Sequence, residues 1–309
     1  MYCEKVVEIW HKVGNQKNRA PFPRTLIARI FTHFQSFASR GSRLPSTGTD
    51  TVAEVRTCAV ALCLFCGAFL AAIRPAWAVT CPVQSAKLRQ VLQQSVKPSG
   101  GPSNGGLDNN EWAAVVNRNG MVCAIAFSGK SADQQWLASR AIAAEKAFTA
   151  NGMSTPAYAL ATANLYAQAQ PGGWLYGGVA SNPPNPAILY AGNAATYGTP
   201  ADPMLGKTLG GVIVFGGGLA LYKDGSVVGG IGASGDTSCA DANIAWRLRH
   251  ALGFDKVPNG PSPKHNDAAI YDIGPNGKSA SGFGHPTCIG KEAQIAQQIG
   301  AGVQPGRAQ

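Results

Sequence analysis

The chain has 309 residues, 45% of them apolar and 14% charged, so it can bury a core and is not a disordered tail. Its 38 Gly and 20 Pro predict many tight turns between short elements and exclude a coiled coil or helical bundle. The net charge of +10 is concentrated early: residues 1–78 carry ten Lys and Arg against four Asp and Glu, while residues 79–309 carry 16 against 12. No cluster of basic and aromatic residues follows residue 79, which argues against a nucleic-acid partner.

Residues 1–55 predict no packed domain: they are a basic extension, or an artefact of a start upstream of the true one at Val52 or Val55. From Arg56 a basic residue, an apolar run from Thr57 to Ile73 and the small residues Ala76 and Ala78 make residues 56–78 a secretory signal cleaved after Ala78. The competing reading is a membrane anchor, but the run is at the lower limit for spanning and ends in a cleavage-like tripeptide. A periplasmic or secreted protein with no stable membrane anchor is expected. Export leaves Cys81, Cys123, Cys239 and Cys288 in an oxidising compartment, which favours two disulfides over a zinc site because no Cys-x-x-Cys pair remains. The expected pairs are Cys81–Cys123, tying the first helix to a hairpin, and Cys239–Cys288, tethering the C-terminal segment to the last core helix.

Leu88, Val91, Leu92 and Val96 recur at helical spacing over residues 83–97 and stop at Pro98. Trp112–Val116 and Met121–Phe127 flank Asn117-Arg118-Asn119-Gly120 and predict a hairpin with a two-residue type I′ turn. Ser131 and Gln134 form a capping signal before Leu137, Ala141, Ala144 and Phe148, and a second helix is expected from Thr155-Pro156 to before Pro171. Residues 171–210 form a long Gly/Pro/Asn-rich excursion of the kind that more often carries function than not. Val212–Phe215, Leu219–Tyr222 and Val227–Ala233 read as three further strands. Residues 237–252 read as a helix with Ala240, Ile244, Leu248 and Leu252 inward and Asn243, Arg247 and His250 outward. The result is a single α+β domain over residues 79–255, an antiparallel sheet of five strands with helices on its faces. Residues 256–309 follow as a Pro/Gly-rich extension tethered to it.

Gly216, Gly217 and Gly218 open one strand, and Ser234, Gly235 and Asp236 hand the next one to a helix N-terminus. Glycines inside a strand are accepted where another backbone or a flat ligand approaches, and a helix N-terminus can receive a carboxylate. The bland alternative is a set of ordinary turns in which Asp236 or Thr237 merely caps the helix. There is neither a phosphate-binding Gly-Lys-Ser/Thr loop nor a dinucleotide fingerprint.

The motifs Lys146-Ala147 late in an Ala-rich helix, Gln170-Pro171-Gly172-Gly173-x-Leu175-Tyr176-Gly177, the Gly216–Gly218 strand start and Ile231-Gly232-Ala233-Ser234-Gly235 resemble the GlcG/HbpS family of haem-binding proteins. The resemblance covers residues 83–255 or so. It implies a profilin-like fold, haem as ligand, capture, handling, sensing or slow degradation of haem outside the cytoplasm, and assembly into homo-oligomers. It supplies no axial ligand, and Ala220 stands where the family has a second proline. On this reading Lys146, Gly216, Gly217, Gly218, Ser234, Gly235 and Asp236 form the ligand site. His285, among small residues, is the histidine candidate for haem iron, and Trp174 and Tyr176 could stack on a porphyrin or simply anchor their loop. No Ser/His/Asp set or paired carboxylates can be read from the order, so hydrolytic catalysis has no support. The alternative function is a non-haem accessory or sensory subunit that binds a small carboxylate or a partner protein.

Overall fold

The computed structural model describes residues 80–100 and 103–304; the N-terminal extension and signal lie outside the described residues. Helix α1 (Ser85–Val96) buries Leu88, Val91, Leu92 and Val96, as their spacing requires, and Lys97 N closes its last turn on Gln93 O. Strands β1 (Trp112–Asn117) and β2 (Val122–Phe127) form the first hairpin. Its turn is not type I′, because only Gly120 has a positive φ, at 78°. Asn117 shapes the turn instead: its Oδ1 accepts the N–H groups of Asn119 and Met121, and Gly120 supplies the left-handed residue. The two-residue turn with both residues at positive φ occurs later, at Asp224 and Gly225, joining β3 (Gly218–Lys223) to β4 (Ser226–Ser234).

These four strands form an antiparallel sheet in the order β2-β1-β4-β3. The fifth strand expected at Val212–Phe215 makes no ladder, because its donors serve side chains. Ile213 N bonds Thr149 Oγ1 at 3.0 Å, and just beyond it Gly216 N bonds His285 Nε2 at 3.2 Å. The helix expected after Thr155 is also replaced: Thr155 and Tyr158 close a turn on each other, Ala159 N donates to Asn259 O, and helical turns appear only at Thr162–Leu165 and Tyr166–Ala169. The Ser131 signal closes only the short turn Ala132–Gln134. Helix α2 (Ser139–Gly152) starts beyond it, and Leu137 is exposed.

Alternation along β1 sends Trp112, Ala114 and Val116 to one face of the sheet and Ala113 and Val115 to the other. Helix α2 covers the first face with Ala143, Ala144 and Ala147, joined by Leu189, Tyr197, Met204 and Leu209 of the long excursion. Arg140 of α2 fixes that excursion through a buried ion pair with Asp202, a 2.7 Å bond to Leu189 O and a guanidinium 3.6 Å from the Tyr197 ring centroid. The second face carries α1 and α3 (Ser238–Ala251). Asn243 of α3, expected to face solvent, is buried because the chain after residue 256 covers it: its Nδ2 donates to Asn104 O and Glu292 O. That C-terminal chain pairs β5 (Ala269–Ile270) with β6 (Gly302–Val303) in parallel, flanks them with α4 (Glu292–Ile299), and places Tyr271, Ala296 and Ala301 in the core. Disulfides join Cys81 to Cys123 and Cys239 to Cys288.

The closest packing in the sandwich is backbone on backbone. A Cβ on Gly230 or Gly232 of β4 would fall on Ala147 O or Ala143 O of α2, so the helix lies directly against the strand. Gly232→Ala should therefore destabilise by about 1–3 kcal/mol, since neither backbone can yield without moving the helix. Gly152→Ala, at the end of the same helix with nothing within 4 Å of the new methyl, should stabilise by about 0.4–1 kcal/mol. Urea unfolding of the two variants measures both, and equal effects would contradict this packing.

Candidate functional site

The residues assigned to the ligand site come together where β3, β4, α2 and α3 meet, all buried except the half-buried Asp236. Lys146 points from α2 into the protein with no exposed surface, its Nζ 2.5 Å from Asp241 Oδ2 and 3.0 Å from Ala233 O, and 4.9 Å from the Phe215 ring centroid. An ammonium so placed needs a carboxylate, and Asp241 of α3 supplies it. Glu111, immediately before β1, is fully buried beside this pair. Burial, and then the neighbouring Asp241 carboxylate, hold its carboxyl well above the usual range, which favours the protonated form. Burial also raises Asp241, against the opposing pull of Lys146.

The helix N-terminus is filled from within the chain. Asp236 Oδ1 accepts from Leu107 N at 2.7 Å and Thr237 N at 2.6 Å, its Oδ2 accepts from Asn109 N at 3.1 Å, and Thr237 Oγ1 caps Ala240 N. Asp241 Oδ1 takes Asp236 N at 3.0 Å. Asp236 N, Thr237 N and Ala240 N are thus bonded to the protein's own side chains. Ser234 is buried at the end of β4, paired in register with Trp112. Gly235 has φ 154° and a Cβ direction that meets Asn110 O at 2.5 Å.

The three glycines are also enclosed. A Cβ on Gly216 would meet Ser238 O, one on Gly218 would meet Lys146 O and Thr162, and one on Gly217 would stand 2.8 Å from Lys146 Nζ and 2.9 Å from Asp241 Cβ. They are small because protein backbone and an ion pair occupy the space, so a porphyrin has no room beside them. His285 is buried with both ring nitrogens engaged: Nδ1 donates to Pro286 O at 2.7 Å, which leaves Nε2 to accept Gly216 N–H. Burial pushes its pKa down to about 4, so it is neutral and structural, packed near Tyr166 and Tyr271. For His285 to ligate iron, Nε2 would have to give up its bond to Gly216. Among the described residues no group of three His, Cys, Asp or Glu side chains could hold a metal ion, and no helix is long and apolar enough to cross a membrane.

Large apolar side chains are exposed at Leu107, Trp136, Leu137 and Ile289 and on the excursion after Gln170. Trp174, Tyr176 and Tyr190 are 58%, 65% and 60% exposed. Sequence reasoning missed Glu111; its one signal was a lone acidic residue opening the apolar run Trp112–Val116.

Fold and cluster together define a four-stranded antiparallel α+β sandwich clamped by a buried carboxyl–lysine–carboxylate group. A family model described as "Haem degrading protein HbpS-like" matches residues 107–248. Among solved structures, the chain is similar to Klebsiella pneumoniae protein ORFY at 20% identity, with 55% of this chain and 92% of that one covered and a TM-score of 0.37. It is also similar to a structure described as a PduOC:haem complex at 23% identity, covering 54% and 89%, with a TM-score of 0.36. A third, a double mutant of Streptomyces reticuli HbpS, is 19% identical, covers 54% and 83%, and has a TM-score of 0.32. No curated protein matches.

The cluster makes a pH-dependent prediction. A carboxyl whose pKa is raised on folding costs nothing below its unfolded value near 4.3, and stability falls as pH rises from there toward the folded pKa. Glu111→Gln, which mimics the protonated form, should match wild type near pH 4 and exceed it in Tm at pH 7 to 8. A variant less stable than wild type across the whole range would show that Glu111 is ionised in the fold.

Proposed function

We propose that this protein is exported and binds haem, in capture, handling or sensing, with the signal at residues 56–78 removed after Ala78 and the mature chain assembling as a homo-oligomer. The match of residues 107–248 to the HbpS-like family carries the reading. The two disulfides support an oxidising compartment, and intact mass of the exported protein should place its first residue at Val79.

The glycine cluster does not fit a porphyrin, for want of space, whereas Trp174 and Tyr176 are exposed aromatic rings on which a porphyrin would stack. Bound there, haem would supply an iron centre, and the chain's part would be to stack on the macrocycle and shield it from water. A hemin titration of the purified protein should give a saturable Soret shift. The double variant Trp174→Ala/Tyr176→Ala should weaken binding about tenfold, and His250→Ala on exposed helix surface should leave it unchanged. Absence of a saturable shift with correctly folded protein would overturn haem binding and favour the second reading, an accessory subunit without haem. The closed state of the glycine cluster favours that second reading.

A further inference from the structure

A groove of about 520 Å³ lies between α1 and the loop that follows β2, well within the size range of small-molecule sites. Arg89, Gln93 and Lys97 line one wall at i, i+4 and i+8, so one helix face presents cations at both ends, about 12 Å apart along its axis. Lys130, Gln134 and Asn110 line the other wall. The lining holds three cations and no carboxylate, and among the described residues none of the three is in an ion pair. The acids adjacent in sequence to the lining are Glu111, which is buried beside Asp241, and Asp133, which is bonded to Ser131.

The walls are built independently of any ligand. Gln93 Nε2 donates to Ser128 O at 3.3 Å across the groove, and Asn110 Nδ2 donates to Gln134 O at 3.4 Å. Arg89 is fixed by a 3.0 Å bond from Nη2 to Gly129 O and by the Phe127 ring, whose centroid lies 4.2 Å from its guanidinium carbon. One of its five N–H donors is spent on Gly129, and the remaining donors belong to a guanidinium already held in place. Three like charges converging on one concavity with no counter-charge raise its potential, which an anion relieves.

We propose that this groove binds a small multivalent carboxylate, a molecule carrying two or three carboxylate groups, with one on Arg89 and another between Lys97 and Lys130. The number of the cations favours multivalency: a monovalent acid is answered by one of them, a di- or tricarboxylate by two or three. The proposal goes beyond the haem reading and does not depend on it, so a failed hemin titration leaves it standing.

The test is calorimetric titration of the purified protein with citrate, succinate, acetate and inorganic phosphate at constant ionic strength. Citrate should bind saturably and acetate should not. Lys97→Gln/Lys130→Gln, two exposed positions whose change spares the Arg89 anchor, should weaken citrate about tenfold or more, while Lys223→Gln at the end of β3 changes nothing. Circular dichroism confirms that each variant is folded. No saturable binding of citrate or succinate, binding indifferent to the double variant, or saturation by phosphate but not citrate would each overturn the assignment.

Discussion

The ion pair between Lys146 and Asp241 is the constraint on which the centre of this protein depends. Lys146 belongs to the helix on one face of the sheet and Asp241 to the helix on the other, and their side chains meet at the end of β4 beside Ala233 O. An unpaired charge at that depth would cost several kcal/mol, so neither helix can shift without exposing the other's partner. The glycines follow from the pair. Gly217 leaves the space through which the ammonium and carboxylate touch, and Gly230 and Gly232 let α2 come near enough for a lysine to reach across. Glu111 adds a proton to the same cavity, so the group contains two carboxyls and one ammonium and is neutral when Glu111 is protonated.

Much of the fold was legible because its signals are local. The spacing of Leu88, Val91, Leu92 and Val96 marks α1, the alternation around Trp112 marks a strand, and the run from Ala240 to Leu248 marks the buried face of α3. The failures share a cause, which is backbone satisfied by partners distant in sequence. Val212–Phe215 has strand composition, but Ile213 N bonds Thr149 of α2 and the next residue, Gly216, bonds His285 of the C-terminal chain, and Ala159 bonds Asn259 where a helix would have bonded its own turn. Composition reports that a segment is apolar and not where its hydrogen bonds go.

The candidate site was legible in its residues and not in its state. A Gly-rich strand ending at a helix N-terminus describes an anion cradle and an internally capped helix equally well. The difference lies in Asp236, whose two oxygens already take three N–H groups from Leu107, Asn109 and Thr237. His285 shows the same ambiguity in one residue: small neighbours suggest access for a flat ring, yet a Cβ on Gly284 would fall on Asp272 and Ser279 of the same C-terminal chain. Neither Gly216 nor Pro286 announces itself as the partner of that imidazole.

What remains open to a ligand is therefore separate from what holds the fold. The buried cluster fixes the relation of the two helical layers and has no surface to offer. The exposed rings of Trp174 and Tyr176 lie on an excursion anchored below by Arg140 and Asp202, and the basic groove lies between α1 and the loop after β2. A rigid centre with recognition on its periphery lets the motif residues stay constant in role while the surface determines what is bound. On that division of labour, the residues around Gly216 and Ser234 build the scaffold, and the donors and ring faces not already used within the protein lie on the aromatic excursion and along the basic groove.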